Sequence, residues 1–149
     1  MRKNNNAVSI IVPVYNEEKS LNPLYKRLLK VLNKNFPDWE IIFVINGCTD
    51  RSSDICLEFS RSKKVRVIKL RKPSKSLALD SGFKQAKMNY VATIDADLQD
   101  QPEELPKLFK KLKKDKLDCV IGWRKNRQDN FEKKLLSSFF NLINRKISG

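Results

Sequence analysis

Runs of apolar, β-branched residues alternate with stretches of helical period along nearly the whole chain, and this alternation restricts the fold more than any other feature. Residues 8–15, VSIIVPVY, read as a buried first strand, because so continuous an apolar run leaves no polar face for water. Asn22 followed by Pro23 is a helix-start signal, and Leu24, Tyr25, Leu28, Leu29 and Leu32 share one face of the helix it opens. Residues 41–45 read as a second strand, NGCTDRSSD as a turn, and Ile55, Cys56 and Phe59 as the apolar side of a short helix. Residues 65–70 give a third strand, broken at Lys72-Pro73-Ser74; a helix over 77–88 and a fourth strand over 90–95 follow. Pro102 opens a helix that turns Leu105, Leu108, Phe109 and Leu112 inward and Lys107, Lys110, Lys111, Lys113 and Lys114 outward. A short fifth strand at 119–121 and an amphipathic helix at 131–147 complete the series.

Strands and helices in this order, with short connections, predict an α/β fold: a mostly parallel sheet covered by helices on both faces. The 149 residues read as one domain, without an internal repeat or linker. Ligands of such sheets bind beyond the carboxyl ends of the strands. That rule puts Tyr15-Asn16-Glu17, Asn46-Gly47, Arg71, residues 95–100 and Gly122-Trp123-Arg124 on one rim.

The rim's densest chemistry is in YVATIDADLQDQPEE, where the fourth strand runs out into Asp95, Asp97, Gln99 and Asp100. Hard oxygen ligands at a strand end suit Mg²⁺ or Mn²⁺, which in turn bridge phosphate oxygens. On spacing alone, solvated carboxylates explain Asp95 and Asp97 equally well. The formal charge of +14 points to an anionic partner: a nucleotide, a phospholipid surface, a lipid phosphate or a nucleic acid. Residues 107–146 carry thirteen Lys or Arg against four acids, which concentrates that charge in the last third. The absence of His excludes His-based triads, HExxH zinc sites and imidazole bases, leaving carboxylates, Lys, Arg, Tyr and metal ions. Cys48, Cys56 and Cys119 have no metal-ligand spacing and suit reduced thiols in a cytoplasm. No apolar run approaches the roughly 18 residues of a membrane span, and MRKNNN lacks a signal-peptide core.

The segments IIVPVYNEE, NGCTDRS, RKPSKSLALDSGFKQA, DADLQDQPEE and GWRKNRQDNF resemble the family 2 inverting glycosyltransferases of GT-A fold. The likeness is strongest to the polyprenyl-phosphate branch, typified by dolichyl-phosphate mannose synthase and bacterial undecaprenyl-phosphate sugar transferases. The resemblance implies the nucleotide-binding half of a Rossmann-like GT-A sheet, a UDP- or GDP-sugar donor, Mg²⁺ or Mn²⁺, and a polyprenyl phosphate acceptor at the cytoplasmic face of a membrane. Carried over by position, Pro13, Tyr15 and Glu17 match the wall around base and ribose. Asp95, Asp97 and Gln99 match the metal and diphosphate segment, and Arg124 a basic residue facing phosphate, with Lys125 and Arg127 as further phosphate contacts.

The chain departs from the family pattern where two adjacent carboxylates usually precede the glycine after the second strand; here they are Ile45 and Asn46. Asn46 keeps an acceptor for a base N–H without a charge, and Ile45 keeps none. The glycine usual after the third strand is Ser74, a change that matters only if the backbone there needs positive φ. The family's acceptor region and membrane helices have no counterpart in this sequence, so the expectation divides between a transferase and a non-catalytic module that binds a nucleotide sugar or a partner subunit. The residues 131–147 suit packing on the sheet, a membrane interface or a partner, including a second copy. Charge alone suggests RNA binding, but the basic-aromatic motifs of RNA readers are not evident.

Overall fold

A computed structural model describes residues 6–71 and 73–122. Its elements are β1 (Val8–Val14), α1 (Glu18–Asn35), β2 (Trp39–Ile45), α2 (Ser52–Phe59), β3 (Val65–Lys69), α3 (Lys75–Gln85), β4 (Tyr90–Thr93), a 3-10 turn (Pro102–Glu104) and α4 (Leu105–Lys114). Among the described residues the four strands form one sheet in the order β3-β2-β1-β4, and every pairing is parallel. The expected α/β architecture is therefore present. No helix among the described residues is long and apolar enough to cross a membrane.

Alternation along β1 and β2 builds two cores. Val8, Ile10, Val12 and Val14, with Trp39, Ile41, Phe43 and Ile45, pack with Leu21, Leu24 and Leu28 of α1, Cys56 of α2 and Leu105 of α4. Ile11, Ile42 and Val44 point the other way, against Ala78 of α3. Successive strand residues face opposite sides, so a strand covered on both faces must be apolar throughout. Gly82 brings α3 close to the sheet, since a Cβ built on it lies 2.4 Å from Ile11 Cγ2.

Beneath α3 the sheet carries a polar knot. Glu40 is 5% exposed, and its carboxylate accepts from Ser9 Oγ at 2.7 Å, Arg66 Nη2 at 2.7 Å and the backbone N–H of Lys87 at 2.7 Å. Met88 N donates to Ser9 Oγ, and Arg66 Nη2 also donates to Gln85 O. Among the described residues no buried side-chain nitrogen or oxygen lacks a hydrogen-bond partner. A buried carboxylate with this many donors is stable where an unpaired one would be costly.

Several boundaries differ from expectation for tertiary reasons. Helix α1 starts at Glu18, with Pro23 inside it rather than at its first position. Asp50 Oδ2 accepts from Glu18 N and Ser52 Oγ from Glu17 N, so a neighbouring loop caps the helix that Asn22 was expected to cap. Helix α3 ends at Gln85 instead of Met88, because the N–H groups of Lys87 and Met88 are held by Glu40 and Ser9. Residues 119–121 carry no regular structure, in place of the fifth strand. They follow a left-handed turn at Lys116 (φ 49°), and so short a segment offers few ladder bonds to fix it. Trp123, Arg124, Lys125, Arg127 and the helix expected at 131–147 lie outside the described residues.

Candidate functional site

Strand order creates the site. From β1 the chain proceeds outward through β2 and β3, then returns across α3 to place β4 on the other side of β1. The carboxyl ends of β1 and β4 therefore diverge, and crevices at such reversals are where open α/β sheets bind ligands. A cleft of about 290 Å³ opens there, lined by Pro13, Val14, Tyr15, Glu17, Asn46, Lys75, Asp95, Ala96 and Asp97. Six residues singled out in the sequence, Pro13, Tyr15, Glu17, Asn46, Asp95 and Asp97, are thus brought together.

Each wall has a local cause. Ile11 O accepts from Ile94 N on the β4 side, whereas Val14 O accepts from Asn46 N on the β2 side. Pro13 consequently faces the β4 side, but β4 pairs only as far as Thr93 opposite Ile11, so no ladder bond is lost to the missing N–H. Beyond it, Asn16 takes φ 51°, a conformation that asparagine tolerates, and its Oδ1 accepts from Thr49 N at 2.8 Å. Arg51 N donates to Glu18 Oε2 and Cys48 Sγ to Val14 O, which ties the β1–α1 loop to NGCTDRS. Burial pushes the Asp50 carboxyl up, but hydrogen bonds from Ser52 and the Glu18 N–H outweigh it and hold the group below the ordinary range. Glu17 is fixed by Ser20, whose Oγ donates to its Oε2, and Tyr15 leaves an exposed ring at the mouth.

The acidic wall is held by its own loop. Gln99 N donates to Asp97 Oδ1 at 3.0 Å, and Asp95 N donates to Asp100 Oδ2 at 3.0 Å. Between them Leu98 adopts φ 63°, which is uncommon for a branched apolar residue, while its side chain packs on the larger core. Gln99 does not line the cleft; its main chain orients Asp97.

Residues at the end of β2 and at the start of α3 look different in three dimensions. The Asn46 side chain, buried at 7% exposure, accepts from Ser74 N through Oδ1, so the acceptor expected for a base N–H already ties β2 to the start of α3. Ile45 is buried in the core. Ser74 itself is extended (φ −162°) and caps α3, its Oγ accepting from Leu77 N, so serine is fully compatible with this turn. Lys75, a residue no rim motif marks, reaches into the cleft with Nζ 2.9 Å from Asp95. Its only sequence signal is its place at the head of the helix after the third strand.

Among the described residues no group of three or more His, Cys, Asp or Glu is arranged for a metal ion. Mg²⁺ and Mn²⁺ that arrive with a nucleotide need fewer: one or two carboxylates, with phosphate oxygens and water completing the shell. Asp95 and Asp97 meet that requirement on one cleft wall.

The family described as Glycosyl transferase family 2 matches residues 9–148. The chain is 39% identical over 145 residues to the undecaprenyl-phosphate 4-deoxy-4-formamido-L-arabinose transferase of Pectobacterium atrosepticum, an alignment covering 95% of this chain and 44% of that relative. The chain thus spans less than half the length of this relative. Among solved structures, S. aureus TarS 1-349 in complex with UDP-GlcNAc is 30% identical, with TM-score 0.55, over 72% of this chain and 31% of that one. Glucosyl-3-phosphoglycerate synthase from Mycobacterium tuberculosis, solved with Mn²⁺, UDP and glucosyl-3-phosphoglycerate, has TM-score 0.59 at 20% identity, over 72% of this chain and 40% of that one, a likeness of fold.

Proposed function

The chain belongs to glycosyl transferase family 2, and from that membership we propose that it binds a nucleoside diphosphate sugar and transfers the sugar to a polyprenyl phosphate with inversion. The observation that carries this reading is the cleft at the β1/β4 reversal, where Asp95 and Asp97 face the wall made by Pro13, Tyr15 and Glu17. The matched relative's name, an undecaprenyl-phosphate transferase, supports the acceptor class, and TarS with UDP-GlcNAc supports the donor class.

In this reaction the bond between the anomeric carbon and the diphosphate breaks as a lipid phosphate oxygen bonds to the opposite face of that carbon. A phosphate acceptor is already ionised near neutral pH, so the cleft needs no general base, which suits a chain without His. Tyr15 offers an aromatic surface to the base, and Glu17 and Asp95 border ribose and diphosphate. Asp95 and Asp97 would hold Mg²⁺ or Mn²⁺, with the Gln99 N–H orienting Asp97; that ion supplies neutralisation of charge growing on the leaving diphosphate. Arg124 and Arg127, which the family resemblance assigns to phosphate, would add positive charge to that neutralisation. The acceptor brings the protein to a membrane surface, and the exposed lysines of α4 suit anionic headgroups there.

Calorimetric titration with UDP- and GDP-sugars, with and without Mn²⁺, tests the reading. Binding is expected to require the ion. Asp97→Ala is expected to weaken it by more than the roughly 10- to 100-fold that loss of an outer-shell partner costs. Unchanged affinity in a folded Asp97→Ala protein counts against the assignment. Turnover on added undecaprenyl phosphate then separates a transferase from a module that only binds.

A further inference from the structure

Lys75 Nζ lies 2.9 Å from Oδ1 and 2.9 Å from Oδ2 of Asp95, so an ammonium sits astride both oxygens of a carboxylate assigned to the metal. The other lysine–carboxylate pairs among the described residues, Lys84–Asp80, Lys107–Glu104 and Lys111–Asp115, join positions three or four apart on one helical stretch. Lys75–Asp95 instead crosses from the head of α3 to the loop after β4, through the cleft. Its base is fixed, because Ser74 beside it is bonded to Asn46 through its N–H and to Leu77 through its hydroxyl. Its tip is not, since the Lys75 side chain is 63% exposed on a flexible four-carbon stem.

We propose that Lys75 is a placeholder cation: it holds Asp95 until a divalent ion enters with a nucleoside diphosphate, then releases it and moves its ammonium onto the diphosphate. Glu17, Asp95 and Asp97 bring three carboxylates to one small cleft, and an ammonium on Asp95 offsets part of their mutual repulsion. An exposed pair of this kind is weak, about two- to fivefold in an equilibrium constant, so it organises the site without locking it. Lys75 and the ion compete for one carboxylate, so the ion alone binds less tightly than Asp95 and Asp97 would allow. The diphosphate gives the displaced ammonium a new partner and removes that penalty. Ion and nucleotide therefore bind with positive coupling.

The inference rests on the functional reading in that ion and diphosphate share the cleft. The test is calorimetric titration of Mn²⁺ alone, and of UDP and GDP at saturating Mn²⁺, on wild type, Lys75→Gln and Lys75→Arg. In Lys75→Gln, Mn²⁺ alone is expected to bind about two- to fivefold tighter, while the nucleotide binds about tenfold weaker or more for want of one charge-assisted contact. Lys75→Arg is expected to restore the nucleotide affinity. A purely structural role for Lys75 would weaken both ligands together. If wild type binds Mn²⁺ and nucleotide but Lys75→Gln leaves both affinities unchanged, or weakens both, the placeholder role is overturned and the functional reading stands. If wild type binds no nucleotide with Mn²⁺, both are overturned.

Discussion

β1 and β4 are neighbours in one ladder, paired from Val8 opposite Tyr90 to Ile11 opposite Thr93, yet they are held by different means. All of β1 except Pro13 is buried, between α1 on one face and α3 on the other. In β4, Tyr90 and Ala92 are half-buried, and Val91 and Thr93 are exposed. Beside it lies an apolar cavity of about 460 Å³, bordered by Phe83, Val91, Leu108, Phe109 and Ile121. The contrast continues into the site. The β1 wall is fixed by packing and by the hydrogen bonds that join Asn16 and Glu17, after β1, to Thr49 and Ser52, after β2. The acidic wall after β4 is fixed by its own hydrogen bonds around Asp97, Gln99 and Asp100. Damage to the packed half should therefore unfold the protein, whereas damage at the acidic wall should change binding and leave the fold intact.

The largest expected effect is on the packed half. Glu40→Ala leaves Arg66, Ser9 and Lys87 N without their common acceptor beneath α3. Breaking a buried pair from one side costs about 3–5 kcal/mol, read as a fall in the urea midpoint. A loss below about 1 kcal/mol would mean that the knot is solvated and the two halves are less different than their burial suggests.

Next is Gly82→Val. Its Cβ would meet Ile11 Cγ2 at 2.4 Å, and Ile11 is fully buried in β1. Better helix propensity returns a few tenths of a kcal/mol, but overpacking costs about 1–3 kcal/mol. The expected net loss in urea unfolding is about 1–2 kcal/mol. A stability equal to wild type would show that α3 can lift from β1, and that this face is no stiffer than the β4 edge.

The contrast also explains what could be read from the sequence. Strands buried on both faces write themselves as continuous apolar runs, so the order of elements and the acid-bearing end of the fourth strand were legible. Devices assembled from distant residues were not. The cap of α1 comes from Asp50 and Ser52, and the stop of α3 from Glu40 and Ser9, each more than thirty positions away along the chain. The bond from Ser74 N to Asn46 joins the end of β2 to the start of α3, and no sequence pattern sets Lys75 apart from the other lysines; the sheet order places it over Asp95. Residues 119–121 show the opposite error: an apolar triplet read as a strand lies at the lip of the cavity, with Ile121 87% exposed.

The smallest expected effect sits where the two halves are joined. Arg27 of α1 donates to Glu103 through Nε at 2.9 Å and Nη2 at 2.6 Å, tying the 3-10 turn ahead of α4 to the packed body. The hydrogen bond from Arg27 holds the Glu103 carboxyl below its ordinary range, against the upward push of burial. A carboxyl whose pKa is depressed on folding contributes stability above its unfolded value, near 4.3, and that stability is lost as pH falls through the folded value. Arg27 stays protonated throughout, so only Glu103 titrates in this window. Because the Glu103 side chain is 51% exposed, solvent screening limits the pair to about 0.2–1 kcal/mol. Arg27→Ala is therefore expected to lie that far below wild type at about pH 7, and the gap should narrow as the solution is acidified toward about pH 3. Added salt at neutral pH should narrow it as well. A gap that persists unchanged in acid would assign the loss to packing of the Arg27 stem rather than to the ion pair, and the 3-10 turn would then be held to α1 by apolar contact while the β1–β4 ladder carries the polar link between the two halves.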